Sequence, residues 1–583
     1  VGAGVVVDAG MGRLRRPPPD FTVVDNAGGA SAPTTTPTTP APTEIVGRKP
    51  VSLFAKTYFN ERKSFVSSKR PFRYLVTVSL LLLLIPLCYE VSHNLLAAQA
   101  EYPAVRSTIF LDTTSPTFTL PTAGASGPIA YTVTDFSGAK VLQGRSLATG
   151  SQTSLSLPRL PDDYYVLQVT ERISGSPANQ AIPFAVVAPF TAAANSPFGV
   201  GVHFTNGYNP GLAQPIAAMG AGTIRDDATW AMIERSAGSY TFNNFDPYMQ
   251  VLQQNTLDPL LVLDYNNRFY DNDQTPYNSA GFSAFADYAR ALVMHYGPQL
   301  KAVEIYNEYN GTFSTGPCAR QPACYAQLLR YTYQAIKSVR PDVTVVGGAA
   351  LYADLYWFNE LFKSGGLSYM DVVSDHPYAP FYFFSPEAQG LEGQMQSLQA
   401  LIKHYNHGQA KPIWITEIGW PSSYMDMNES RQADYLVRGM VLSLAAGVQK
   451  IFWYDFLNDG NTTSQMEQNF GLLRLPDAAG YYTPKPAYVA YAVLSRELAS
   501  RSFSGSETVA PGIYDMRYSG NLRILWSTPF GQNVALSTNS PATAISMTGR
   551  TRTLVPSGGR IILNLSTDPV YIQGNISGVT WTW

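Results

Sequence analysis

Two segments far apart in the chain each end an apolar, strand-like run with a glutamate: Val303-Glu304-Ile305-Tyr306-Asn307-Glu308 and Ile413-Trp414-Ile415-Thr416-Glu417-Ile418-Gly419-Trp420. Two carboxylates brought to one cleft can cleave a glycosidic bond. One protonates the leaving oxygen, and the other attacks or stabilises the anomeric carbon. Glu308 and Glu417 are the candidates for these roles.

The rest of the chain must position them. At 583 residues it exceeds the size at which a single core keeps growing, so several domains are expected. A net charge of -2 gives no electrostatic basis for binding nucleic acid. Aromatic residues make up 12 %, with Tyr the commonest; flat amphipathic rings serve sugar sites and ordinary cores alike.

Residues 1–73, with Arg16-Pro17-Pro18-Pro19 and a Thr/Pro/Ala tract, offer little apolar surface to offset the entropy of ordering, and read as a disordered cytoplasmic tail. Residues 74–98 are long and apolar enough for one transmembrane helix. Lys56, Arg62, Lys63, Lys69, Arg70 and Arg73 precede them and Glu90 lies near their end, so the positive-inside rule places everything after the span outside the cytoplasm. A retained signal-anchor is the favoured reading. The alternatives are a buried core helix and a signal peptide cleaved near Ala98-Gln99-Ala100. Of the 3 cysteines, Cys88 lies in the apolar run, while Cys318 and Cys324 could close a small disulfide loop in an oxidising compartment or remain two buried thiols. No His or Cys stands at metal-ligand spacing, and neither metal nor cofactor is expected.

Residues 101–195 show short alternating runs punctuated by Gly and Pro, the pattern of an immunoglobulin-like β-sandwich. Over residues 196–500 strand candidates alternate with helical patterns, starting at Phe198, Thr223, Pro259, Ala302, Val343, Val372, Ile413 and Lys450. That is the rhythm of an α/β chain folded as a (β/α)8 TIM barrel; a doubly wound sheet would want a Gly-rich loop after its first strand. Residues 501–583 return to short strands and read as a C-terminal β-domain.

Glu304-Ile305-Tyr306-Asn307-Glu308 at the fourth strand and Thr416-Glu417-Ile418-Gly419-Trp420 at the seventh resemble the signatures of clan A retaining glycoside hydrolases, most nearly family 39. Gly222-Thr223-Ile224-Arg225 with Trp230, and Asp375-His376-Pro377-Tyr378, extend the resemblance, which covers the barrel alone. Where the family usually has proline after the acid/base glutamate, this chain has Tyr309. The resemblance implies that Glu308 is the acid/base and Glu417 the nucleophile, and that Asn307 binds the sugar 2-hydroxyl.

The remaining assignments each carry a bland rival. Arg225 would sit beside the nucleophile or merely neutralise Glu304, which strand alternation makes an interior residue. Tyr378 would keep Glu417 ionised, while His376 and His203 would contact sugar hydroxyls, although a lone His such as His203 is often structural. Trp420 and Trp453 would floor the site or belong to the core. Aromatic loops after the third and sixth strands suit an endo-acting enzyme on a polysaccharide or oligosaccharide, and few cations besides Arg268 at that face favour a mostly neutral glycan. The rival function is a catalytically silent glycan-binding or scaffold protein of a cell-envelope assembly, which would have no need of both carboxylates.

Overall fold

Strands buried on both faces are expected to be rich in Val, Ile and Leu, and Leu260-Leu261-Val262-Leu263 and Val345-Val346 at the centre of this protein follow that rule. The computed structural model describes residue 102 and residues 105–582, except 123–125, 174–175, 194, 380–382 and 424. The expected tail (1–73) and membrane span (74–98) lie outside the described residues. Among those described, no helix is long and apolar enough to cross a membrane.

Eight strands form a closed barrel: β1 (Phe198–Gly201), β2 (Thr223–Asp227), β3 (Asp258–Leu263), β4 (Ala302–Ile305), β5 (Thr344–Leu351), β6 (Val372–His376), β7 (Ile413–Ile418) and β8 (Lys450–Trp453). Each is parallel to its neighbours, and β8 closes on β1 through Trp453 opposite Val200. Helices Ser279–Tyr296, Pro322–Val339, Leu391–Tyr405 and Glu429–Ala445 lie between strands where the sequence pattern placed helices.

Alternation along the strands sorts the lumen into layers. Leu260, Ala302, Val346, Val372, Trp414 and Phe452 form a separate apolar cluster near the strand starts. Two residues further on stand Glu304, Ser374 and Thr416, all buried. The lumen thus passes from a dry floor to a polar layer directly beneath the mouth.

Two local irregularities shape that mouth. The β7–β8 register shifts between Ile415 and Ile418, a bulge spanning Thr416 and Glu417, and bulges beside active sites commonly re-aim a side chain. Gly419 follows it because a Cβ there would collide with the Tyr454 carbonyl. β4 ends at Ile305, before Asn307 and Glu308, because Tyr306 (φ 67) and Glu308 (φ 43) take left-handed conformations that break the strand.

Before the barrel, a five-stranded sheet and the pair Thr117–Pro121 with Gln152–Ser156 enclose a core that includes Phe118, Leu120, Val133, Tyr165, Leu167 and Phe184. After it, strands between Phe503 and Thr582 form a six-stranded and a three-stranded sheet. The loop after β6 is tied to this C-terminal region: Glu387 accepts from Arg438 Nε at 2.8 Å and from Trp526 Nε1 at 2.9 Å.

Candidate active site

Arg225, inside β2, is the hub of the polar layer. Its Nε donates to Glu304 Oε2 at 2.7 Å, Nη1 to Glu417 Oε1 at 2.5 Å and Nη2 to Asn307 Oδ1 at 2.9 Å. Both readings of Arg225 therefore hold at once, since a planar guanidinium can serve several acceptors in fixed directions. Burial works against its charge, but Glu304 and Glu417 more than offset this and raise its pKa.

Glu308 and Glu417 face one another across the mouth with His376 between them. His376 Nδ1 is 3.0 Å from Glu308 Oε1 and 3.7 Å from Glu417 Oε2, while Nε2 is 3.0 Å from Thr416 Oγ1. One oxygen of each carboxylate and a His376 ring nitrogen lie within 4.8 Å of one another. His376 is buried and both its ring nitrogens are engaged, Nδ1 by Glu308 and Nε2 by Thr416, so its expected role as a sugar contact is corrected: β6 turns it into the wall behind the two glutamates. Burial lowers its pKa, but the Glu417 charge and the Glu308 hydrogen bond outweigh burial and leave it raised. Burial alone would raise the Glu417 pKa; His376, Arg225 and the Tyr378 hydroxyl, which donates to Oε2 at 3.2 Å, hold it below the ordinary value.

Asn307 gives one amide hydrogen to Tyr265 Oη at 3.2 Å, and its oxygen accepts from Arg225. Tyr309, where proline was the expected residue, is buried with its ring 5.0 Å from that of Tyr306 and 4.8 Å from that of Tyr325. The loop beyond it carries the Cys318–Cys324 disulfide, Cα atoms 5.6 Å apart.

The structure does not bring the two tryptophans to the sugar side. Trp453 is 0 % exposed and donates to Phe470 O at 3.3 Å; Trp420 donates to Phe384 O at 2.9 Å, and its ring centre is 6.0 Å from that of Trp453. An aromatic residue at a strand end can turn outward or back into the core, and here the helix Glu429–Ala445 supplies a seat, with Gly439 under the Trp420 ring. Tyr270 of the β3 loop also turns inward, stacking on Trp230 at 5.1 Å and donating to Glu234 at 2.6 Å.

His203, half-buried after β1, stands 3.6 Å from Asp455 Oδ2. With Asp459 they form a second trio whose ligand atoms lie within 4.8 Å of one another, an arrangement that sequence spacing does not reveal. Asp455, Asp459 and Glu467, all following β8, were not singled out from the sequence. Their one signal there is position, just past the C-terminal end of a barrel strand, where such sites gather.

Residues 240–482 match the family described as Glycosyl hydrolase catalytic core. The barrel is similar to a glycosyl hydrolase core over these residues. The match includes Glu308, His376 and Glu417 and begins after β2, so His203 and Arg225 precede it. A family 39 glycoside hydrolase from Bacteroides cellulosilyticus WH2 is similar over 80 % of this chain and 98 % of its own, at 22 % identity and a TM-score of 0.68. A conserved exported protein from Bacteroides fragilis is similar over 66 % and 98 %, at 12 % identity and a TM-score of 0.50. A monomeric β-xylosidase from Caulobacter crescentus CB15 is similar over 66 % and 97 %, at 17 % identity and a TM-score of 0.47. No curated protein matches the chain. The barrel thus shares its fold with a family 39 enzyme, from the group its two glutamate motifs resemble.

Proposed function

We propose that this glycoside hydrolase acts with retention of configuration, cutting within a surface or exported polysaccharide, and is held on the outer side of a membrane by residues 74–98. The observation that carries retention is the approach of Glu308 and Glu417, with oxygens within 4.8 Å. Retaining enzymes hold their carboxyl groups about 5–5.5 Å apart, whereas inverting ones need about 6.5–9.5 Å to admit a water.

Glu417, kept anionic by Arg225, His376 and Tyr378, attacks the anomeric carbon. Glu308 protonates the departing oxygen, and the freed sugar chain makes room for water. The Glu308 carboxylate then takes a proton from that water, which displaces Glu417 from the covalent intermediate. Asn307, its oxygen fixed by Arg225, directs its remaining amide hydrogen to the 2-hydroxyl. His376 positions both carboxylates without touching the sugar.

Endo action is supported by exposed rings on successive loops: Phe269 after β3, Phe313 after β4, Tyr352 after β5 and Phe384 after β6. Phe313 stacks on Tyr265 at 5.4 Å, and Tyr265 in turn holds Asn307, so this platform adjoins the reacting sugar. The membrane placement rests on the charge asymmetry around residues 74–98. NMR of the first product formed from a polysaccharide tests the mechanism: the retained anomer is expected, and an inverted one refutes it. Protease added to intact cells should remove the barrel and spare the segment before Tyr74. A free soluble barrel beginning near Glu101 would refute the anchor.

A further inference from the structure

The mouth carries an acidic wall that the reaction above leaves unused. His203 follows β1, and Asp455 and Asp459 follow β8, the strand paired with it. Asp459 accepts a hydrogen bond from Tyr208 Oη. Asp455 is 1 % exposed, yet neither of its carboxylate oxygens has a hydrogen-bond partner, and His203 Nε2 at 3.6 Å lies beyond hydrogen-bond reach. A buried carboxylate left in this state is costly unless a cation or donors join it.

Among the described residues, two buried cations near this face give their hydrogen bonds to other groups, although the Lys485 charge still acts to lower the Asp455 pKa. Arg225 is held by Glu304, Glu417 and Asn307. Lys485 lies behind Asp455 and donates to Ser422 Oγ at 2.9 Å, Asn458 Oδ1 at 2.7 Å and Asn469 O at 3.0 Å. Burial and then the Asp459 charge push the Asp455 pKa well above its usual value. Tyr454, next to Asp455, donates its backbone N–H to Ile418 O at 2.9 Å, one residue past Glu417, so the wall lies beside the strand end that carries Glu417.

We propose that this wall binds the ammonium group of an amino sugar, so that the glycan cleaved contains free, unacetylated hexosamine; the inference rests on the glycoside hydrolase reading above. An alkylammonium offers three N–H donors. The wall presents three acceptors: the carboxylates of Asp455 and Asp459 and, with the imidazole proton on Nδ1, His203 Nε2. A hydroxyl or an acetamido N–H offers one donor and no charge, and leaves the buried carboxylate uncompensated. The sparse cations that pointed to a neutral glycan are, with this wall in view, equally the mark of a cationic one.

The test uses the full chain carrying Glu417→Gln, titrated calorimetrically with glucosamine, galactosamine and mannosamine, their parent hexoses and N-acetyl forms, matched β-1,4-linked oligomers, and Ca2+ and Zn2+ alone. The amines are expected to bind at least about tenfold tighter than their neutral counterparts, as charge-assisted hydrogen bonds exceed neutral ones. Asp455→Asn should erase that preference, and so should Asp459→Asn at the exposed partner if the first variant does not fold. Equal or weaker binding of the amines overturns the inference, as does a metal ion bound through Asp455 in place of them. Glu417-dependent turnover of neutral glycans without amine preference by the unsubstituted chain removes this inference and leaves the hydrolase reading standing. Absence of turnover on every glycan by the folded chain counts against that reading itself.

Discussion

Arg225 Nη1 meets Glu417 Oε1 at 2.5 Å while its Nε holds Glu304 Oε2 at 2.7 Å, so one guanidinium joins the proposed nucleophile at the mouth to a carboxylate sealed in the barrel interior. The two bonds have different consequences. The first sets the charge of a reacting group, and the second neutralises a buried one.

Substitutions at Arg225 should separate these roles. Arg225→Met leaves Glu304 buried without its cation, a change that costs about 3–5 kcal/mol in comparable buried pairs, read from urea unfolding. Adding Glu304→Gln should restore most of that stability and none of the activity. Recovery of activity in the double variant would show that the Glu417 contact is dispensable.

Glu417→Gln should abolish turnover while leaving fold and glycan binding in place. Glu308→Gln should lower kcat by about 10²–10⁴-fold on natural glycosides. It should spare the first step for substrates whose leaving groups need no proton, and added azide, a nucleophile that needs no base, should speed the second. Equal losses on good and poor leaving groups would remove Glu308 from the acid/base role.

All eight barrel strands could be read from sequence because short buried runs recur between helical patterns, even though β2 and β6 carry polar residues among their apolar ones. The two glutamates stood out because they interrupt that pattern at its ends. What lay hidden is backbone and depth. Positive φ at Tyr306 and Glu308 ends β4 early, so strand alternation does not extend to Glu308, although Glu304 is interior as expected. The burial of His376, Trp420 and Trp453 depends on partners far away in the chain, Glu308 and the helix Glu429–Ala445 among them. Asp455 and Asp459 lie in an irregular loop with no periodicity to mark them, and only β1 brings His203 to them.

Cys318, buried in the loop that follows Glu308, is bonded to Cys324 in the first turn of the helix Pro322–Val339. If the barrel is exported, non-reduced peptides from it should be recovered joined at these residues, since such bonds persist in oxidising compartments. Two freely alkylatable thiols in protein taken directly from cells would contradict the proposed location outside the cytoplasm.

His376 predicts a pH dependence of definite sign. Burial disfavours its charged form, but Glu417 and Glu308 more than offset this and raise its folded-state pKa above the ordinary value of about 6.5. A group whose pKa rises on folding contributes stability that is complete below the unfolded value and is lost as pH climbs through the folded one. The Tm advantage of the unsubstituted chain over His376→Asn should therefore shrink as pH rises above about 6.5. Over the same range the imidazolium between the two glutamates loses its charge, so Glu417 loses one of the cations that hold it anionic. His376→Asn keeps a donor but no charge, and should lower kcat on the order of tenfold, leave KM little changed and remove that alkaline limb from the pH–rate profile. A Tm difference that stays flat with pH would mean that His376 is neutral in the folded protein, and that Arg225 and Tyr378 alone hold Glu417 ready to attack.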